Sequence, residues 1–166
     1  MITFIESFKR ELAGEKIATR KMLALVPKDK ADWAPHAKSM KMNTLANHLA
    51  GMSLMIAIAV KFDKWDFANS PYPSVTCNNT QEIVDYYDYC VAEAEAALET
   101  ATDDNLQNRW TMCMGDQVWL DLEKWEAVRH AFGQNSHHRA QLGVYLRLLD
   151  IPIPGCYGPS ADEMGG

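Results

Sequence analysis

What the sequence lacks narrows its class first. None of its four cysteines, at 77, 90, 113 and 156, stands in a CxxC pair, so neither a zinc ribbon nor a dithiol redox motif is written into it. Four reduced and mostly buried thiols are expected, because free cysteine behaves as a small apolar residue. Positive charge is scarce: 16 Lys and Arg against 22 Asp and Glu leave a formal net charge of −6. Nucleic-acid surfaces need clustered Lys and Arg to displace phosphate counterions, so no nucleic-acid partner is expected. Long apolar runs are missing as well. The longest, Leu49 to Val60, is too short for a bilayer core of about 30 Å and reads as a buried helix, with no membrane partner. The opening MITFIESFKRELAGEK mixes acids and bases, whereas a secretory leader has a basic start and then an unbroken apolar stretch. A cytoplasmic protein is the resulting expectation. There is also no internal repeat, no block of like charge and no sustained heptad.

What is present fits an ordinary globular chain: 48% apolar and 23% charged residues over 166 positions predict one domain, 1–166, with a core of its own. Helical periodicity dominates. Ile5, Phe8, Leu12, Ile17 and Met22-Leu23 recur at helical steps between charges, predicting an amphipathic helix over 2–26 that Pro27 ends. A polar connection follows over 27–38. The second helix is predicted over 42–60, with Leu45, Leu49, Met52, Ile56 and Ala59 as its buried stripe. Prolines and an Asn-Asn-Thr cluster mark 63–80 as loop. Asn79 and Glu82 have capping-box spacing, and Ile83, Tyr87, Cys90, Ala94 and Leu98 carry a third helix to about 102. Between 103 and 121, Trp110, Met112 and Met114, then Val118 and Leu120, alternate around Gly115-Asp116, the pattern of a short hairpin. A fourth helix is predicted over 122–149, and Gly133 and Gly143 within it suggest close neighbours, since each costs about 1 kcal/mol relative to Ala. The proline-rich tail IPIPGCYGPSADEMGG should lie extended over the helices. The simplest architecture is an all-α four-helix bundle with a short hairpin before the last helix.

The polar residues that carry chemistry are His48 and the set His130, Gln134, His137, His138 and Gln141. Four helical residues turn through about 400° and three through about 300°, so 130, 134, 138 and 141 share one face. His137 lies roughly 100° from His138, and only one of the adjacent pair can aim at a given point. His48 adjoins the buried stripe of its own helix, where an imidazole needs a partner. Two readings stand side by side. Each histidine can be a hydrogen-bonded core residue, or His48 can share a metal ion with the fourth helix, since bundle cores hold such sites on facing helices and neutral imidazole suits Zn, Ni, Fe or Cu. Arg139 reads as an ion-pair residue, Gln141 as a hydrogen-bond partner of a ligand, and Glu126 and Asp121 as acids either near the site's mouth or complementing a helix dipole. The five tryptophans read as packing anchors.

Two stretches carry a family resemblance. HHRAQLGVYLRLLDIPIPGCYGPSADE, from His137 to Glu163, and WAPHAKSMKMNTLANHLAGM, from Trp33 to Met52, resemble the C-terminal signature and the second-helix entry of the DinB family (DinB/YfiT-like proteins). The resemblance implies an up-down-down-up four-helix bundle, usually a homodimer, with three ligands for a divalent metal. Those ligands fall on His48, Gln134 and His138, with Zn or Ni as the implied metal. The family usually has His at the position of Gln134. An amide oxygen is a poorer ligand for these metals than imidazole, so three alternatives stand: Gln134 ligates, His130 substitutes, or the site stays empty. The resemblance further implies a metal-activated water or low-molecular-weight thiol attacking a small-molecule substrate, the chemistry of a thiol-dependent transferase, isomerase or hydrolase. The other reading is a non-catalytic, stress-associated bundle whose metal site is degenerate or structural.

Overall fold

The computed structural model describes residues 2–72 and 75–165. Four long helices, α1 (Phe4–Leu23), α2 (Met42–Lys61), α3 (Thr80–Thr100) and α5 (Lys124–Leu148), account for most of the chain, with one short helix, α4 (Asp103–Leu106). The all-α expectation needs correction. Strands β1 (Lys64–Asp66), β2 (Arg109–Met114) and β3 (Gln117–Glu123) form a mixed sheet in the order β1-β2-β3. The hairpin β2–β3 lies where alternation placed it, but β1 falls in the stretch expected to be loop. Three residues are too few to show a period of two, and β1 is defined by its parallel pairing with β2, Trp65 opposite Met112.

Local chemistry sets the helix ends. Thr3 and Glu6 form a reciprocal capping box at α1, and the Asn79 side chain accepts from the Glu82 amide at α3. Lys41 offers no side-chain cap to α2. Instead the polar connection does so, with the Met42 and Asn43 amides donating to the carbonyls of Trp33 and Ala31. At the far end of α5 the Ile151 amide donates to the Leu146 carbonyl and the Asp150 amide to that of Arg147. This is the Schellman pattern, and it forces Asp150 to φ +58°.

The core lies between these helices. α2 packs against α3 and α5, and α1 against the same two. α2 is long and apolar enough by composition to cross a membrane, but 72% of its most apolar window is buried inside the structure. Leu45, Leu49 and Ile56 of the expected stripe are buried, together with most of the circumference of the second half of α2. Cys77, Cys90 and Cys113 are buried and Cys156 half-buried, all four as free thiols. Gly143 meets Met22 and Ile153 at ordinary contact distance, whereas nothing lies within 4 Å of a Cβ built on Gly133; the close neighbour inferred for Gly133 is not there. The tail packs Ile153 and Cys156 onto the core and ties Asp162 to Arg147.

Polar contacts fix α5 in place. At its start the buried Lys124 ammonium reaches Asp63 at 2.8 Å and donates to the Val60 carbonyl at 3.3 Å, clasping the end of α2. Mid-helix, the buried Arg139 pairs with Glu15 of α1 at 2.5 Å and donates to Thr19 at 3.0 Å, while Thr19 donates to Asn135. Tyr157 from the tail completes the cluster, accepting from Arg139 at 2.6 Å and donating to Glu15 at 2.8 Å.

Two stability measurements test this account. Replacing Asp150 with Gly should raise the unfolding free energy by about 1 kcal/mol, the cost of holding a side chain in the left-handed region, as read by urea denaturation. Arg139→Met alone should cost about 3–5 kcal/mol, because it strands the Glu15 carboxylate in the interior; adding Glu15→Met should recover most of that loss. A double variant no more stable than the single one would show that the pair itself, not the stranded charge, carries the energy.

Candidate metal centre

The site is built from the inner faces of α2 and α5. His48 projects from the middle of α2 and His138 from α5, and their rings meet edge to face with centroids 4.4 Å apart. One turn before His138, Gln134 places its amide oxygen 3.1 Å from His138 Nε2. One turn after it, Gln141 places its own amide oxygen 3.0 Å from His138 Nδ1. The structure therefore brings together His48, Gln134 and His138, the three residues expected to converge, with Gln141 in the supporting position read from its spacing. His138 is the buried member of the adjacent pair and His137 is exposed.

Burial acts on both imidazoles. Packed protein pushes the pKa of His48 below the ordinary 6.5, and the neighbouring His138 lowers it further. His48 is nonetheless exposed by surface area and lines the neighbouring cavity. Desolvation also depresses the pKa of His138, partly opposed by its bond to Gln141 and reinforced by His137. Both rings are thus neutral at pH 7, and a neutral imidazole has one N–H and one lone pair. In His138 that one ring proton serves one of the two glutamines. Nε2–H can donate to the Gln134 oxygen, or Nδ1–H can donate to the Gln141 oxygen, in which case the Nε2 lone pair faces Gln134 and is met by a turned NH2 group or by a cation. Two donors each about 2.0–2.2 Å from one ion stand roughly 3–3.5 Å apart, which matches the 3.1 Å separation. The donor set fits a divalent transition metal: two imidazole nitrogens and one amide oxygen, with the orienting bond that metal-ligating histidines usually carry.

The site opens into a cavity of about 510 Å³ between α2, α3, α5 and the sheet. His48 of α2 and His130 and Gln134 of α5 line its helical walls, and Trp65, Phe67 and Met112 line it from the sheet and the turn after β1. His130 is on the expected face, yet among the described residues no three His, Cys, Asp or Glu side chains gather closely enough to hold an ion, so His130 does not complete a three-histidine set. The acids considered for the mouth of the site are employed elsewhere. Glu126 caps the α5 amino terminus and Asp121 pairs with Arg109 at 2.6 Å. Arg139 turns to the opposite side of α5, into the cluster with Glu15. Sequence reasoning missed Asn47, Tyr86 and Trp65 as parts of the cavity. Asn47 and Tyr86 sit on helices beside the buried stripes, and Trp65 belongs to the strand that was read as loop. An aromatic in a polar loop is the one signal that could have marked Trp65.

The chain is thus mostly helical with a small mixed three-stranded sheet, the fold of a known class of proteins. The DinB family model matches residues 1–165, and the chain belongs to the DinB family. It is similar in structure to the DinB-like protein YjoA of Bacillus subtilis, with a TM-score of 0.70 and 16% identity over 90% of this chain and 96% of that one. A DinB-like protein of Bacillus cereus ATCC 10987 gives a TM-score of 0.69 and 19% identity over 92% of this chain and 97% of that one. At these identities the likeness shows the fold. No curated protein matches.

The depressed imidazoles set a pH dependence for the metal-free protein. As pH falls below about 6.5 the unfolded chain takes up protons before the folded one does, so the folded state loses stability on the acid side and holds it above. Thermal midpoints in chelator between pH 8 and 5.5 should therefore drop toward the acid end, and the drop should flatten when both His48 and His138 are replaced by Gln. An equally steep fall in that double variant would assign the dependence to other groups.

Proposed function

We propose that this DinB-family chain holds a divalent transition metal, Zn or Ni, through His48, Gln134 and His138 and uses it on a small-molecule substrate. In this reading the four long helices act as the family's bundle, in a single domain that works as a homodimer. The observation that carries the proposal is the convergence of two neutral imidazoles from different helices, 4.4 Å apart, beside a cavity large enough for a small molecule. A metal held by three protein ligands supplies an open position at which a water or thiol is deprotonated near neutral pH. The chain's own contributions are positional. Gln141 fixes the ring orientation of His138, and Met52 and Met55 give the α2 side of the cavity an apolar surface. His130, one turn before Gln134 on the cavity wall, is the imidazole placed to accept a proton from a molecule held there. The reaction class that fits is displacement at a small electrophile by a deprotonated water or thiol, as in a transferase, isomerase or hydrolase.

Gln134 favours a second reading, a non-catalytic DinB protein whose metal site is degenerate, because a neutral oxygen in place of an imidazole weakens the set. Metal analysis of untagged protein separates the two. The first reading expects about one equivalent of Zn or Ni, lost in His48→Ala and in His138→Ala, and an affinity about 10–100-fold higher in Gln134→His. A wild-type protein that takes up no metal on reconstitution, while Gln134→His does, would establish the second.

A further inference from the structure

The cavity beside the histidine pair also states what it can admit. Among the described residues its lining contains no Asp, Glu, Lys or Arg. An anion entering it would leave its hydration without meeting a cationic side chain, a cost that pockets for charged ligands offset with Arg or Lys. The polar groups of Asn47, beside His48, and of Ser70 are already engaged. The Asn47 amide donates to the carbonyls of Asn43 and Cys77 and its oxygen accepts from the Cys77 amide, while the Ser70 oxygen accepts from the Trp65 indole and the Tyr72 amide. The wall formed by Trp65 and Phe67, stacked at 4.4 Å and 26°, offers a ligand aromatic and apolar surface. The helical walls carry the polar function, His48, Gln134 and the Tyr86 hydroxyl, whose pKa burial raises.

We propose that the cavity is a binding site for a neutral, flat, apolar molecule with a single polar head, seated with its body against Trp65 and Phe67 and its head toward His48 and Gln134. This rests on the reading of the cavity as the functional site, though not on a metal being bound. It narrows the substrate class, setting aside compounds that would lay a phosphate or carboxylate group against the wall of Trp65 and Phe67.

Two fluorescent probes that share a ring skeleton test it: neutral N-phenyl-1-naphthylamine and anionic 8-anilino-1-naphthalenesulfonate, each titrated into the full chain with and without added Zn. The neutral probe should bind at one equivalent and at least 10-fold more tightly than the sulfonate. Met52→Lys, which places a cation in the α2 wall, should weaken the neutral probe by at least 10-fold and strengthen the sulfonate. Val75→Lys, at the exposed rim, should shift the ratio the same way and serves if Met52→Lys does not fold. Equal or reversed affinities in the wild type, or a neutral-probe affinity unchanged in both lysine variants, would overturn the proposal. Metal content is read separately. Probe binding without metal uptake would defeat the metal reading alone, and metal uptake with failure of the probe pattern would defeat this one alone.

Discussion

The rotation of α5 about its own axis is the constraint on which the site depends. An ordinary amphipathic helix sets its rotation with an apolar stripe, but α5 buries Lys124, Asn135, His138 and Arg139 along with its apolar residues. Its orientation is set by polar contacts of defined direction. Glu15 and Thr19, one turn apart on α1, engage Asn135 and Arg139, one turn apart on α5, so two polar pairs meet in register. Because adjacent helical residues diverge by about 100°, turning Arg139 toward α1 aims His138 toward α2. A hydrophobic seam would tolerate small rotations; a bidirectional ion-pair cluster with geometric demands tolerates few.

The same arrangement separates structural from chemical polarity on one helix. The Arg139 side is sealed, its charges neutralised by Glu15 and its remaining donors and acceptors taken up by Thr19 and Tyr157. The His138 side meets His48 of α2 edge to face, the two rings kept neutral by desolvation. A buried ion pair is weak evidence for net stability, and here its value lies in orientation. The neighbouring residues His138 and Arg139 thus serve opposite ends: one presents a lone pair, the other withdraws a charge.

Much of this was legible in the sequence because it depends on period. The four long helices, the Asn79 cap, the hairpin around Gly115 and the convergence of 134, 138 and 141 all follow from steps of 3.6 or 2. The resemblance to the DinB family singled out His48, which periodicity alone left as one buried-face histidine among several. What sequence could not supply was long-range. β1 exists only through its pairing with a strand about 45 residues later in the chain, as parallel neighbours need a long crossover, and its absence from the reading turned a mixed fold into an all-α one. The roles of Glu126 and Asp121 were likewise decided by partners, a helix terminus and Arg109, that no spacing rule connects to them. Gly133, with empty space beside it, shows that a helix-weakening residue need not signal a packed neighbour.

The bonding of Asn47 has one more implication. Its side chain grips the backbone of Cys77 from both sides, donor to carbonyl and acceptor to amide, as a neighbouring strand would. Cys77 lies two residues beyond Val75 of the chamber wall, and Asn47 immediately precedes His48. The chain entering α3 and the imidazole of His48 are therefore moored to the same turn of α2, and one amide side chain ties the two walls of the chamber together.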